Sequence, residues 1–214
     1  TIRSPARAGR RIAREPGPVR WEQAAREEGV AETDPRPADG WPTPDRECQD
    51  CPVTEIWAHR GASAYAPENT MPAFELAIRM GADGVELDVQ RSADGHLVVI
   101  HDETINRTSN GAGKVVDLTL EELRRCDFNN GFVGRRNVKI PTLREALELF
   151  RPTNVTVNVE LKNSVELYPG MEHEALRAVR DAGLLDQVVF SSFNHYSLAN
   201  LRGLIGPEHL ALLL

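Results

Sequence analysis

The rhythm of hydrophobic and polar positions changes near residue 54. Before it, apolar residues are sparse and arginines alternate with acids. Eight prolines interrupt that stretch: Pro5, Pro16, Pro18, Pro35, Pro37, Pro42, Pro44 and Pro52. Such a segment buries too little apolar surface to offset its ordering entropy. Residues 1–53 are therefore expected to form a Pro/Arg-rich leader, disordered or loosely attached, with a weak helix over residues 19–31.

After residue 54, short apolar runs alternate with stretches of helical period. Residues 55–58 (EIWA) read as a strand running into His59-Arg60-Gly61. A polar loop follows, then a helix with Asn69 or Thr70 as its cap and Pro72 in its first turn. Phe74, Leu76, Ala77 and Met80 form its packed face, and Gly81 stops it. Residues 84–89 form a second strand, and Asp94-Gly95 signals a hairpin. With those two residues as the turn, His101 falls opposite Asp88. A four-residue loop sets it opposite Glu86 instead, and either register puts the histidine on the face of the acids.

Residues 104–139 are a Gly- and Asn-rich excursion holding a capping box, Thr119 with Glu122. A second box, Thr142 with Glu145, opens a helix whose Leu143, Ala146, Leu147 and Phe150 point inward. The β-branched run VTVNVEL predicts a strand ending in Glu160-Leu161-Lys162. A helix over residues 171–182, a strand at 187–190, a helix at 195–204 and a strand from 210 complete the chain.

Strands alternating with helices predict an α/β fold with a parallel sheet. The chemistry-bearing residues fall at the C-terminal ends of strands, where a (β/α)8 TIM barrel carries its active site. A full barrel takes about 250 residues. The expectation is a barrel domain over residues 54–214, truncated after about five strands, with its last three beyond Leu214 and a small insertion after strand 2 at about 104–139.

The formal charge of −7 argues against a general nucleic-acid binder. No run of eighteen apolar residues predicts a membrane span. No apolar segment follows Arg10-Arg11, and no secretory signal is visible. The chain opens on Thr1, so a cytoplasmic and a secreted location both stay open. Cys48 and Cys51 form C-x-x-C in a Pro-rich stretch, with neither a second pair for zinc nor a helix to open. They are assigned no function.

Glu86 and Asp88 project from one face of one strand, and Glu160 ends the next parallel strand. Three converging carboxylates form a hard-oxygen site suited to Mg²⁺ or Ca²⁺. The alternative is surface acids near loops. His59 and His101 fit a general acid/base pair, against a structural hydrogen bond for each. Arg60 offers a planar fork and Lys162 a mobile charge for phosphate oxygens. Asp102 is read as orienting a loop. His96, His173, His195 and His209 are read as structural or solvated, with His195 nearest the top face.

These motifs occur in a fixed order: His59-Arg60-Gly61, Pro67-Glu68-Asn69-Thr70, Gly84 to Val89 (GVELDV) and His101-Asp102. Then come Arg107-Thr108, Asn110-Gly111 with Gly113, Pro141-Thr142-Leu143 with Glu145, and Glu160-Leu161-Lys162. As an ordered set they resemble the glycerophosphodiester phosphodiesterase family. The resemblance implies a TIM barrel with an insertion after strand 2. It implies hydrolysis of small-molecule glycerophosphodiesters, such as glycerophosphocholine, to an alcohol and sn-glycerol 3-phosphate. It implies a metal on Glu86, Asp88 and Glu160, acid/base roles for His59 and His101, and phosphate contacts from Arg60 and Lys162. In the mechanism it implies, a glycerol hydroxyl attacks phosphorus and water opens the cyclic phosphate. Alternatives are a lysophospholipase D, a phospholipid-cyclising relative, or a non-catalytic phosphate-binding fragment.

Overall fold

The computed structural model describes residues 54–214, so the expectations for residues 1–53 and for Cys48 and Cys51 lie outside the described residues. The elements are β1 (Trp57–His59), α1 (Met71–Arg79), β2 (Gly84–Arg91), β3 (Leu97–Val99), α2 (Leu120–Arg125), α3 (Leu143–Phe150), β4 (Thr156–Leu161), α4 (Met171–Asp181), β5 (Val188–Ser192), α5 (His195–Arg202) and β6 (Leu210–Leu212). β1, β2, β4, β5 and β6 form a parallel sheet in that order, and β3 pairs antiparallel with β2. Five parallel strands with helical crossovers are the expected pattern. The two outer strands, β1 and β6, do not pair with each other, so the sheet is open, as in a partial barrel.

The two faces of the sheet carry different chemistry. Val85, Leu87 and Val89 of β2 and Val157, Val159 and Leu161 of β4 join the main core with Phe74, Leu147 and Phe150 from the helices. Phe74 and Phe150 stack at a tilt, 5.5 Å between ring centres. Each such side chain contributes about 1.5–3 kcal/mol by leaving water. The other face holds level rows set by the register. His59 pairs with Glu86 and Glu86 with Asn158; Asp88 pairs with Glu160 and Glu160 with Ser191.

Both predicted capping boxes form, at Thr119 with Glu122 and at Thr142 with Glu145. The α1 start differs. Thr70 is the N-cap but makes no side-chain cap bond, and its hydroxyl donates to the Pro67 carbonyl instead. Met80, expected on the packed face, is the exposed C-cap residue. Residues after β3 build a second core from Val98, Ile100, Ile105, Val115, Leu123 and Phe128.

The hairpin register corrects the expectation. Ser92 N–H donates to the His96 carbonyl, closing a loop of Ala93, Asp94 and Gly95, with Gly95 at φ +85°. Asp94 does not sit in a two-residue turn because its Oδ1 accepts bonds from the Ser92 hydroxyl and the Leu120 N–H. Arg91 therefore pairs with Leu97 and Val89 with Val99. The ladder continues with Ile100 N–H donating to the Asp88 carbonyl, so Ile100, not His101, stands opposite Asp88. His101 lies past the end of β3, its carbonyl held by Gln90 Nε2 at 2.9 Å. Because β4 already occupies one edge of β2 at Val89, β3 must run along the β1 edge, beyond the point where β1 ends at His59.

Candidate active site

The carboxylates come first, because the strands fix them. Glu86 and Asp88 are buried on β2, and Glu160 is partly buried on β4. One oxygen from each lies within 4.8 Å of the others. Glu86 Oε1 and Asp88 Oδ1 are buried without a hydrogen-bond partner. Burial, and then the Asp88 charge beside it, push the Glu86 carboxyl up to about 8. Crowded acids with unpartnered oxygens fit a divalent cation, which would satisfy both the charge and the lone pairs.

The cations around them already pair with these acids. Arg60 Nε lies 3.2 Å from Asp88 Oδ2, and Arg60 Nη1 donates to Glu68 Oε1 at 2.9 Å. Lys162 Nζ donates to Glu160 Oε1 at 2.9 Å and lies 3.9 Å from Asp88 Oδ1. His59 Nε2 is 3.7 Å from Glu86 Oε2. Partial burial, then the Arg60 charge, lower the His59 pKa from its ordinary value. The chain enters this cluster through two left-handed residues, Arg60 at φ +59° and Gly61 at φ +79°. A side chain on Gly61 would meet Ala73 atoms at 2.8–2.9 Å, so only glycine fits the approach to α1.

His101 joins the site from the bend. Its Nδ1 is 2.7 Å from Asp102 Oδ1. An ionised carboxylate only accepts, so Nδ1 carries the proton and Nε2 is left for other partners. Asp102 was expected to orient a loop; it orients the His101 ring. The structure thus brings His59, Arg60, Glu86, Asp88, Glu160 and Lys162 into one connected cluster, with His101 linked to it through Asp102, Arg107 and Glu68. His195 Nε2 contacts the Leu213 carbonyl and His209 Nδ1 the Val188 carbonyl, consistent with structural roles.

Sequence reasoning does not place three residues at the site, and it reads Asn69 only as a candidate helix cap, a place Thr70 takes. Asn69, at φ +56°, donates from Nδ2 to Asp88 Oδ2 at 2.8 Å and accepts from the Asp88 N–H. Glu68 and Arg107 form a two-pronged ion pair. All three lie in the quoted motifs around Pro67 and Thr108, and that placement was the available signal.

Comparison with known proteins places this geometry in a family. The family model described as "Glycerophosphoryl diester phosphodiesterase family" matches residues 59–213. A glycerophosphodiester phosphodiesterase of Caldanaerobacter subterraneus subsp. tengcongensis is 46% identical over 74% of this chain and 72% of its own length. One of Bacillus altitudinis is 47% identical over 75% of this chain and 66% of its own. The crystal structure of the Agrobacterium tumefaciens glycerophosphodiester phosphodiesterase aligns with TM-score 0.65 and 37% identity, over 73% of this chain and 65% of that one. A phosphodiesterase of Oleispira antarctica, solved in complex with the product sn-glycerol-3-phosphate, aligns with TM-score 0.60 and 34% identity over 75% of this chain. The chain thus spans about two thirds of the length of these relatives. With the family match running from the first site histidine to the last described strand, the chain belongs to the glycerophosphoryl diester phosphodiesterase family.

Proposed function

We propose that the protein is a metal-dependent glycerophosphodiester phosphodiesterase, hydrolysing its substrate to an alcohol and sn-glycerol 3-phosphate. The observation that carries this reading is the cluster of Glu86, Asp88 and Glu160 oxygens on the neighbouring parallel strands β2 and β4, flanked by Arg60, Lys162 and His59. Relatives named for this activity, and the product seen in the Oleispira antarctica structure, support it.

Glu86, Asp88 and Glu160 would hold a divalent cation, Mg²⁺ or Ca²⁺. Bound there, it supplies Lewis-acid polarisation of a phosphoryl oxygen. Arg60 and Lys162 turn from Asp88 and Glu160 to the phosphodiester and offset charge that grows in the transition state, Arg60 keeping its Nη1 bond to Glu68. One histidine takes the proton of an attacking glycerol hydroxyl as its oxygen bonds to phosphorus. The other gives a proton to the departing alcohol oxygen as its P–O bond breaks. The two exchange roles when water opens the cyclic phosphate. Asp102 steadies His101 in the tautomer that leaves Nε2 for this work.

A second reading, a relative acting on lysophospholipids, draws support from Tyr65, Val165, Leu167, Phe193 and Tyr196. These exposed apolar side chains sit on the loops after β1, β4 and β5, except Tyr196, which lies in the first turn of α5. The test is product release from glycerophosphocholine and from lysophosphatidylcholine by the complete protein, with and without EDTA. Turnover of the first, abolished by EDTA and by His59→Ala, is expected. Metal-independent turnover, or full activity in His59→Ala, sinks the mechanism; exclusive turnover of the lysolipid moves the substrate class.

A further inference from the structure

We propose that Arg107 is a positioning residue that ties the acid/base histidine His101 to the phosphate-binding arginine Arg60, resting on the functional reading above. Arg107 lies in the segment between β3 and α2, flanked by the buried Ile105 and Thr108. Its backbone is therefore held by buried neighbours, Ile105 in the second core, while its guanidinium reaches Asp102 and Glu68.

The guanidinium is committed on two sides. Nε donates to Asp102 Oδ2 at 2.8 Å and Nη2 to Asp102 Oδ1 at 2.9 Å. Nη1 donates to Glu68 Oε2 at 2.7 Å and Nη2 to Glu68 Oε1 at 2.8 Å. Four bonds consume four of the five N–H groups that an arginine owns. Little donor capacity is left for a substrate phosphate, so the residue acts through its partners. Asp102 carries the tether to His101 Nδ1, and Glu68 Oε1 carries it to Arg60 Nη1. Arg60 Nε in turn lies beside Asp88 Oδ2. The result is one chain of alternating charge: His101, Asp102, Arg107, Glu68, Arg60, Asp88.

This arrangement solves a problem set by the topology. His59 and the acids are fixed by the strands, but His101 lies past β3 with no ladder to aim it. Gln90, itself held by the Tyr168 hydroxyl, fixes the His101 carbonyl but leaves the ring free to turn. Asp102 alone would share that freedom. A double fork sets the Asp102 carboxylate against Glu68, which stands in the loop between β1 and α1. Lysine, with one point charge, cannot reproduce two bidentate contacts.

Arg107→Ala and Arg107→Lys in the complete protein test this with two readouts. The first is steady-state kinetics on glycerophosphocholine with saturating metal. In both variants kcat should fall by about 10–100-fold, the range for loss of a partner that orients a reacting group. KM should stay within about threefold, because substrate contacts are intact. Adding Asp102→Asn to Arg107→Ala should cost far less than it does in the wild type, since both act on one tether. The second readout is the downfield NMR signal of the His101 Nδ1 proton, assigned with His101→Gln. It should be protected from solvent exchange in the wild type and broadened in both variants, Arg107→Lys retaining the folded spectrum elsewhere. A proton equally protected in the variants, unchanged kcat, additive losses, or a loss confined to KM would each overturn the proposal. The NMR arm needs no turnover, so it decides the tether even where the wild type proves inactive on every glycerophosphodiester and the functional reading fails.

Discussion

The backbone N–H of Arg60 donates to Glu86 Oε2 across 3.0 Å. The pairing of His59 with Glu86 at the end of β1 sets that amide beside the acid, and two successive left-handed residues, Arg60 and Gly61, then turn the chain away. The second, Gly61, lies against Ala73. Gly61→Ala should therefore add strain at a positive φ to a steric clash, costing about 2–4 kcal/mol together. Urea unfolding measures the loss. A variant as stable as wild type would show that the turn relaxes freely.

The raised Glu86 carboxyl predicts proton release. Its folded-state pKa, about 8, exceeds the ordinary value because of burial and the neighbouring Asp88 charge. The metal-free protein thus binds more protons than the unfolded chain between about pH 4.5 and 8. Its stability should fall as pH rises through that window. A cation must displace the proton, so binding near pH 7 should release about one proton. Calorimetry in two buffers of different ionisation enthalpy reads this directly. Identical heats would mean that Glu86 is already ionised. In Glu86→Gln both the release and the metal-induced rise in Tm should vanish.

Much of this was legible in the sequence because it follows from period and spacing. The Glu-x-Asp pair on β2 shares a face by strand geometry alone, and both capping boxes were visible as Thr-x-x-Glu. The hairpin was not. Asp-Gly favours a two-residue turn, but here the Asp94 side chain is recruited by Ser92 and Leu120, and the register moves by one. No local pattern reports a contact made by residue 120. The same holds for the Asn69–Asp88 and Glu68–Arg107 contacts, whose partners are 19 and 39 residues apart. Met80 fits the helical face by period, yet α1 ends before it reaches the core.

The carboxylates around Arg107 predict a specific acid sensitivity. Hydrogen bonds from Arg107 hold both Glu68 and Asp102 below their ordinary values. A depressed pKa stabilises the fold above the unfolded value, about 4, and the gain is lost as pH falls further. Arg107 is nearly half exposed, so solvent screening trims the contribution to about 1–2 kcal/mol. Arg107→Ala should be less stable than wild type by that amount at pH 7, and the gap should narrow steadily as pH falls below about 4 toward 2. Urea unfolding across that range checks it. A gap that persists at low pH would mean that packing, not charge, accounts for the loss.

Asn69 separates backbone strain from electrostatics. It is buried, left-handed, and bonds both the carboxylate and the N–H of Asp88. Asn69→Gly keeps the conformation and removes the bonds, costing about 1–3 kcal/mol. Asn69→Ala adds the left-handed penalty, about 1 kcal/mol more. Asn69→Asp keeps an acceptor and tolerates the conformation, but it replaces the donor with a like charge beside Asp88. One of the two acids must then stay protonated, so its folded pKa rises and stability drops as pH climbs. The Asp variant should resemble Gly near pH 4 and fall below Ala by pH 8, and saturating Mg²⁺ or Ca²⁺ should recover part of that deficit. Denaturant melts at three pH values, with and without the cation, decide it. Parallel curves for Ala and Asp would show that a charge placed at position 69 is not felt beside Asp88.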